Sequence, residues 1–432
     1  MSDFETLQEI PPETPQEIPP ETPQEIPPEI PPETPPEIPP EIPPETPPET
    51  PPETPQEIPP ELQQPIQYGT GLVNLGNTCY LNTALQILAV IPELNPSNKK
   101  SPLRKKIEIS PLISSWNELY QILNNTQNIN SNQAVNPAPL IQNIIQFSKS
   151  KPPFLLNQRE PQDSTEFIQF LIEEFHNILE KPVEVVIKGE SQNHTDEIAK
   201  ICYKKLSEIY QKSFSEIHRL FYGLNVSTLY SLPSLTSVST TTLTPLSIRP
   251  ETFFIIDLPL PPCPPYLPDQ PVTLENCFDK YITSEILDGS NSWFDESVGY
   301  KRPVRKQVSF WNFPPILILT INRNQYNGTK DQRVVKFPLQ GLHLSKYVHG
   351  YNKDTYIYDL MGVCLHHGNL GGGHYTSIVR KGNSHWVHYN DHMVQPLPQF
   401  PEHTPEHIIQ QELEKIIHNP AVYCLVYRKI IR

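Results

Sequence analysis

The chain has 432 residues, with 33 basic and 48 acidic side chains and a formal net charge of −15. It contains no run of about eighteen apolar residues and no N-terminal basic segment followed by an apolar one, so neither a membrane span nor a secretory signal is expected. Its six cysteines are widely separated and include no Cys-x-x-Cys pair, which argues against a disulfide framework and a four-cysteine zinc site. We expect an intracellular protein of the cytoplasm or nucleus, without a nucleic-acid or membrane partner.

Residues 1–66 differ in composition from the remainder. From Pro11 to Leu62, the tetrapeptide Pro-(Pro/Gln)-Glu-(Thr/Ile) occurs thirteen times over 52 residues, the last copy ending in leucine. Since every copy carries proline and glutamate, this stretch cannot form helical or sheet hydrogen bonds and repels itself. Residues 1–66 hold sixteen acids and no base, which leaves 32 acids against all 33 bases elsewhere. We predict a disordered arm that is either a solubilising spacer or a polyproline ligand for a partner's aromatic groove.

Helical patterns dominate the first part of residues 67–432. Apolar side chains recur at helical spacing in four segments, and a charged insertion is expected to hold one further helix. These are the segment that follows Cys79, Trp116–Leu123, Leu140–Phe147, Ser164–Leu179 and the insertion 181–212.

The second part is rich in strand patterns. The segments Phe214–Tyr222 and Ser227–Leu243 predict a hairpin-forming β-rich region. Further strands are predicted at Phe253–Ile256, Gln307–Trp311, Ile316–Ile321, Tyr356–Leu365, Tyr375–Arg380, Trp386–Tyr389 and Tyr423–Tyr427. Because helices come first and strands later, the pattern indicates an α+β domain rather than alternating βαβ units.

The stretch Gly71–Gln86, GLVNLGNTCYLNTALQ, contains the best candidate for a nucleophile. A turn rich in Gly and Asn leads to Cys79, and helical spacing begins directly after it. The free N–H groups and the dipole at a helix start favour a thiolate, which is the nucleophilic form of cysteine. The alternative is a cysteine that is only a small buried apolar side chain.

A second constellation lies 295 residues after Cys79, where His374 follows two glycines and precedes a strand. It is the best candidate for a base, and Asn390 or Asp391 at the end of the next strand could orient its ring. Neighbouring residues of a strand face opposite ways, so only one of these two can reach the imidazole. Alternatively, the histidine is structural and the strand is ordinary core. Papain-type enzymes also have the order Cys, His, Asn, but with the histidine roughly 130–150 residues on.

The two stretches together resemble the cysteine and histidine boxes of the ubiquitin-specific protease family. The resemblance implies a papain-like α+β cysteine protease with a helical thumb and a β-rich palm and fingers. Residues 67–432 would form the catalytic domain, with a fingers-like region at roughly 214–306.

Roles for individual residues follow from this resemblance. Cys79 would attack the substrate, His374 would transfer protons, and Asn390 would orient the imidazole, with Asp391 as an auxiliary. Asn74, helped by the backbone N–H of Cys79, would stabilise the oxyanion.

The resemblance also implies the substrate, which is the C-terminal tail of ubiquitin with two arginines before its Gly-Gly end. Asp163, in the element that begins with Gln162, is the expected arginine partner and also a candidate helix N-cap. The side chain of Tyr375 would form one wall of the narrow channel through which the Gly-Gly end reaches Cys79. The alternatives are a ubiquitin-binding scaffold without catalytic activity, and a peptidase for a ubiquitin-like modifier.

The sequence departs from the family where many relatives bind zinc through two Cys-x-x-Cys pairs. The corresponding positions here are Ser231–Ser234 and the region Asp295–Val298, which contain no cysteine. We therefore predict fingers without zinc, held by packing alone, and no cofactor.

Overall fold

A computed structural model describes residues 69–124, 134–148, 162–232, 245–262, 271–325, 328–369, 371–382, 385–401 and 403–430. The repeat arm lies outside these residues, so its disorder, its boundary at residue 66 and its polyproline partner stay predictions of the sequence. In the described part, helices dominate the first half and strands the second. The predicted α+β class is therefore confirmed.

The helices match the predicted segments closely. Ser164–Leu179 has the predicted bounds, Trp116–Leu123 is the inner part of a longer helix, and the insertion 181–212 holds one helix as expected. No described helix has both the length and the apolar character that crossing a lipid bilayer requires. The helices are α1 (Cys79–Leu88), α2 (Pro111–Asn124), α3 (Ala138–Phe147), α4 (Ser164–Leu179), α5 (His194–Tyr210), α6 (Glu216–Phe221), α7 (Leu274–Tyr281) and α8 (Glu406–Ile417). Short 3₁₀ helices occur at Pro92–Leu94, Arg104–Lys106, Gly289–Asn291, Ser345–Tyr347 and Lys353–Thr355.

The described strands form one large sheet, a four-stranded sheet and two small ribbons. They are β1 (Gly223–Ser231), β2 (Pro245–Phe253), β3 (Ile255–Pro259), β4 (Val272–Thr273), β5 (Glu285–Leu287), β6 (Trp293–Asp295), β7 (Tyr300–Arg302), β8 (Val304–Asn312), β9 (Ile316–Asn322), β10 (Val335–Lys336), β11 (Leu342–His343), β12 (Ile357–Asn369), β13 (Gly372–Lys381), β14 (His385–Asn390), β15 (Met393–Pro396) and β16 (Val422–Lys429). The large sheet has the order β15-β14-β13-β12-β16-β9-β3, with β11 beside β12. The four-stranded sheet, β2-β1-β8-β5, together with the β6–β7 ribbon, is called the finger-like region below.

The large sheet buries side chains on both faces, which sets the position of α1. Along β12, Cys364 belongs to the cluster around α1 to α4, whereas the preceding Val363 belongs to a second cluster that includes α7 and α8. This alternation is that expected of a strand buried on both sides. Helix α1 packs against β12, β13 and β14, and all ten of its residues are buried.

Two strand predictions were wrong. Phe214–Tyr222 contains helix α6 instead, because the Ser215 hydroxyl accepts a hydrogen bond from the His218 N–H and caps a short helix. The predicted strand Phe253–Ile256 is divided, since β2 ends at Phe253 and β3 begins at Ile255 in the large sheet. The predicted segment Ser227–Leu243 begins inside β1, but residues 233–244 lie outside the described part.

Candidate active site

The turn before α1 is built around the Asn74 side chain. Asn74 Oδ1 accepts hydrogen bonds from the Gly76 N–H at 2.9 Å and from the Thr78 N–H and hydroxyl, both at 3.2 Å. Gly76 and Asn77 adopt left-handed φ values of 100° and 53°, which glycine and asparagine tolerate better than most residues. The chain then enters α1 at Cys79, as the sequence predicts.

Helix α1 does not by itself make Cys79 a thiolate. Burial raises the pKa of the thiol and the nearby Asp391 charge adds to this, while hydrogen bonds from the backbone N–H groups of Tyr375, Tyr80 and Cys79 itself lower it. The pKa lies above its usual value on balance, because the sulfur is removed from water. A thiolate at this position therefore needs a further cationic partner.

His374 is the third residue of β13. The backbone N–H of the following residue, Tyr375, donates a hydrogen bond to the Cys79 sulfur. The imidazole is partly buried, and β13 packs directly against α1. The fold thus packs the strand of His374 against the helix of Cys79, although the two residues are 295 positions apart.

Asn390, at the end of β14, holds the imidazole of His374. Asn390 Oδ1 lies 2.7 Å from His374 Nε2. An amide oxygen is only an acceptor, so Nε2 carries the proton and Nδ1 keeps its lone pair. This is the tautomer in which Nδ1 can accept a proton from a thiol.

Asp391 faces away from the imidazole and towards α1. Its Oδ2 accepts a hydrogen bond from Asn74 Nδ2 and its Oδ1 accepts one from Asn82 Nδ2, both at 2.8 Å. Its φ of 50° is left-handed, which turns the chain sharply after Asn390. Of the two neighbours that the sequence left open, Asn390 therefore contacts the imidazole and Asp391 contacts Asn74.

Asp163 is a helix cap whose carboxylate is already well occupied. Its Oδ1 accepts hydrogen bonds from the N–H and hydroxyl of Thr165, at 2.7 and 2.6 Å, and from the Glu166 N–H at 3.3 Å. Its Oδ2 accepts from the hydroxyls of Tyr423, at 2.6 Å, and Tyr375, at 3.3 Å. The N-cap prediction is confirmed, whereas the predicted arginine partnership would have to share these oxygens.

Glu166 is a neighbouring carboxylate that the sequence reasoning passed over. It lies exposed in the first turn of α4, while the predicted residue Gln162 is partly buried just before the cap. Burial and the charge of Asp163 raise the pKa of Glu166. Glu166 lies three residues after Asp163, so the sequence alone could have identified it as a second candidate partner for an arginine.

The ring of Tyr375 is held by His366, which sequence reasoning did not assign to the site. The two rings stack with centroids 4.5 Å apart and planes inclined by 24°. Lys330 Nζ lies 3.0 Å from His366 Nδ1 and donates to the His366 carbonyl oxygen at 2.8 Å. Burial and this ammonium lower the pKa of His366 to about 4, so the ring is neutral near pH 7. No sequence pattern connects Lys330 to this site, because it comes from a separate loop.

The finger-like region contains an ion pair at Asp295, in the region where the sequence comparison predicts that zinc ligands are missing. Asp295 is 3% exposed and forms a salt bridge with Arg302 across the β6–β7 ribbon, and the guanidinium lies 5.7 Å from the centre of the Trp293 ring. The prediction that packing alone holds the fingers is therefore wrong for this ribbon, because the ion pair also contributes. Among the described residues, no group of His, Cys, Asp or Glu is arranged to hold a metal ion. The absence of zinc and other cofactors stays a prediction, since Ser234 and Cys263 are outside those residues.

Comparison with known proteins identifies the family. A sequence model described as ubiquitin carboxyl-terminal hydrolase matches residues 70–427. The chain belongs to the ubiquitin carboxyl-terminal hydrolase family. The resemblance seen in the two sequence boxes is thereby confirmed, and the matched residues include every predicted site residue.

Individual members of the ubiquitin carboxyl-terminal hydrolase family match parts of the chain. Ubiquitin carboxyl-terminal hydrolase 2 of Homo sapiens is 29% identical over 342 residues, which are 76% of this chain and 52% of that protein. Usp2 of Drosophila melanogaster is 26% identical over 331 residues, or 75% of this chain and 32% of the relative. Ubiquitin carboxyl-terminal hydrolase 9 of Arabidopsis thaliana is 31% identical over 163 residues, or 37% of this chain. The match spans only 16% of that relative's length.

Proposed function

We propose that the protein is a thiol-dependent deubiquitinase that hydrolyses the peptide or isopeptide bond at the C-terminal glycine of ubiquitin. The observation that carries the proposal is the hydrogen bond from His374 Nε2 to Asn390 Oδ1, between two strands that pack against the helix that begins at Cys79. It supplies an oriented base to a sulfur that burial otherwise keeps protonated. Ubiquitin and proteins that carry it are the partners this implies.

The reaction would proceed through an acyl-enzyme. His374 Nδ1 takes the thiol proton of Cys79, and the thiolate attacks the glycine carbonyl carbon. When the tetrahedral intermediate collapses, the C–N bond breaks and the imidazolium gives its proton to the leaving amine. Water then attacks the thioester, with the imidazole as base, and releases ubiquitin with a free carboxylate. Asn390 keeps the ring in the productive tautomer throughout.

Asn74 is the proposed side-chain donor to the oxyanion. One hydrogen of its Nδ2 is directed at Asp391, and the second is available to a substrate oxygen because the residue is exposed. The backbone N–H of Cys79, at the start of α1, would be the second donor. Asp391 supports this role, since its carboxylate fixes the amide without touching the imidazole.

The residues around the start of α4 are proposed to bind the tail of ubiquitin. Tyr375 would form one wall, held in place by its stacking on His366. Asp163 and Gln162 are the predicted contacts, and the exposed carboxylate of Glu166 offers an arginine a partner that is not already used in capping. The two C-terminal glycines of ubiquitin have no side chains, so they could pass through a narrow channel to the buried sulfur of Cys79.

Turnover of ubiquitin that carries a fluorescent amide at its C-terminus tests the proposed activity. Cys79→Ala should reduce the release rate by more than about a thousandfold, because no other group can form the acyl-enzyme. Cys202→Ala is the matched control, as it removes another buried thiol in α5, and it should stay within about threefold of the parent protein. Turnover that survives Cys79→Ala would end the proposal.

The same assay separates the two alternatives. A ubiquitin-binding scaffold would bind the substrate without releasing the fluorophore, and a peptidase for a ubiquitin-like modifier would release it from a different tail. Comparing ubiquitin with ubiquitin-like modifiers that bear the same amide therefore decides substrate and class together.

A further inference from the structure

A buried polar ridge runs along α1 from the proposed nucleophile. Cys79, Asn82 and Gln86 are spaced at i, i+3 and i+7, so they lie on one face of the helix. Their exposures are 8%, 2% and 1%. Asn82 Oδ1 and Gln86 Oε1 are buried with no hydrogen-bond partner among the described residues, which costs about 1–3 kcal/mol for each such group. The groups to which the two amides donate indicate why polar residues occupy these buried positions.

Both amides donate to the chain segment that precedes the helix. Gln86 Nε2 donates to the Thr70 carbonyl oxygen at 2.8 Å, and Asn82 Nδ2 donates to the Val73 carbonyl oxygen at 3.3 Å. We call residues 70–73 the strap. On its other side, the strap exchanges hydrogen bonds of 2.9 Å with Val135.

The strap in turn holds the turn that carries Asn390. The Leu72 N–H donates to the Asp391 carbonyl oxygen at 2.8 Å. A Cβ atom at Gly71 would lie 2.4 Å from the His392 carbonyl oxygen and 2.8 Å from that of Asp391, so only glycine allows this approach. The left-handed Asp391, with φ of 50°, is therefore fixed from the strap side as well as by its own side chain.

We propose that Gln86, two helical turns from the sulfur, is a positioning residue for the proposed reaction. Its amide N–H holds the strap, the strap holds the backbone of Asp391, and the adjacent Asn390 is thereby aimed at His374. Gln86 touches none of the reacting groups, so it acts only through this backbone. The inference rests on the roles proposed for Cys79, His374 and Asn390.

The test measures alkylation of Cys79 by iodoacetamide from pH 6 to 9 in the full chain, with the modified peptide quantified by mass spectrometry. This readout reports the imidazole-supported thiolate and needs no ubiquitin. Gln86→Leu should slow alkylation near neutral pH by about tenfold and move the pH profile towards higher pH. The matched control is Gln121→Leu, which replaces an exposed glutamine of α2 and should leave the pH profile unchanged.

A double-mutant cycle distinguishes positioning from general stabilisation. In the Asn390→Ala background, Gln86→Leu should change the rate by less than about twofold, because the residue it acts through is gone. A full tenfold effect in both backgrounds, or a parent-like profile for Gln86→Leu, would overturn the inference. Gly71→Ala perturbs the strap where it contacts the turn after Asn390. It should also slow alkylation in the parent and have little effect in the Asn390→Ala background, which keeps the test open if Gln86→Leu does not fold.

Failure of the inference and failure of the proposed function are separable. If Gln86 and Asn390 are coupled but the protein does not hydrolyse ubiquitin, the positioning role of Gln86 is supported and the proposed substrate is wrong. If the protein hydrolyses ubiquitin but the two residues are not coupled, the proposed substrate is supported and the positioning role is wrong.

Discussion

The site around Cys79 and the finger-like region use buried polar groups in different ways. Around Cys79, side chains from α1, β13 and the turn after β14 interlock, and Asn82 at 2% exposure contacts the carboxylate of Asp391. In the finger-like region, one ion pair between Asp295 and Arg302 holds a ribbon. On that ribbon, Phe294 and Tyr300 are 52% and 57% exposed.

The difference shows what each region has to specify. Proton transfer requires heavy atoms within about 3 Å in fixed orientation, so several chain segments must lock together. The β6–β7 ribbon contains none of the proposed reacting groups, so it only has to stay folded, and the ion pair contributes to that. We expect substitutions at the site to lower the rate steeply, and those in the ribbon to alter local stability and leave chemistry intact.

The largest effect is expected for His374→Ala. Loss of the base should lower kcat for the fluorescent ubiquitin amide by on the order of a thousandfold, since the buried thiol then has no proton acceptor. His388→Ala serves as the control, because this nearby ring contacts Thr376 at 3.0 Å on the next strand. A comparable loss in both variants would mean that the strands, rather than the imidazole, were perturbed.

Asn390→Ala should have the next largest effect. Without the 2.7 Å contact, the imidazole samples other orientations, and we expect kcat to fall roughly a hundredfold with KM changed by less than about threefold. Steady-state kinetics give both parameters. A rise in KM with unchanged kcat would instead place Asn390 in substrate binding.

Arg302→Ala should act on the finger-like region alone. It leaves the carboxylate of Asp295, which is 3% exposed, without its cation and so lowers the local stability of the ribbon. Hydrogen exchange in β6 and β7 should therefore speed up while kcat stays at the parent value. Lys301→Ala, at the exposed neighbouring position, should leave exchange nearly unchanged, and equal acceleration in both variants would argue against the ion pair.

The smallest effect concerns His218 in α6, the helix that leads directly into the finger-like region. Burial and the neighbouring His176 lower the pKa of His218 to about 4. The unfolded chain therefore takes up a proton near pH 6.5 that the folded chain refuses, and stability falls as the pH drops from 6.5 towards 4. Between pH 7 and 5.5 this amounts to about 1 kcal/mol. Denaturant titrations of His218→Gln should show a correspondingly shallower decline, with activity at pH 7 retained.

Local sequence patterns predicted the parts of the site that depend on neighbours in the chain. The turn before Cys79, the strand predicted directly after His374 and the cap at Asp163 each follow from a few adjacent residues, although the strand begins earlier, at Gly372, and includes His374. Strand alternation also predicted that only one of Asn390 and Asp391 could face the imidazole, but the structure separates the two side chains by a left-handed turn at Asp391, after the strand has ended.

The rest of the site depends on contacts between segments that are far apart in the sequence, and the spacing of residues along the chain does not predict those contacts. Lys330 reaches His366 from a separate loop, and Gln86 looks like part of an ordinary buried helix until its partner Thr70 is located. The strand predicted at Phe214–Tyr222 failed because one serine cap outweighed an apolar, aromatic composition typical of strands.

The central claim is that Cys79 is a nucleophile activated by His374, and covalent labelling by ubiquitin with an electrophilic C-terminus tests it most directly. Intact-mass and peptide analysis should find one adduct, on Cys79, that forms with the parent protein and forms far more slowly with His374→Ala. An adduct on another cysteine, or an equal labelling rate for the parent and His374→Ala, would contradict the claim.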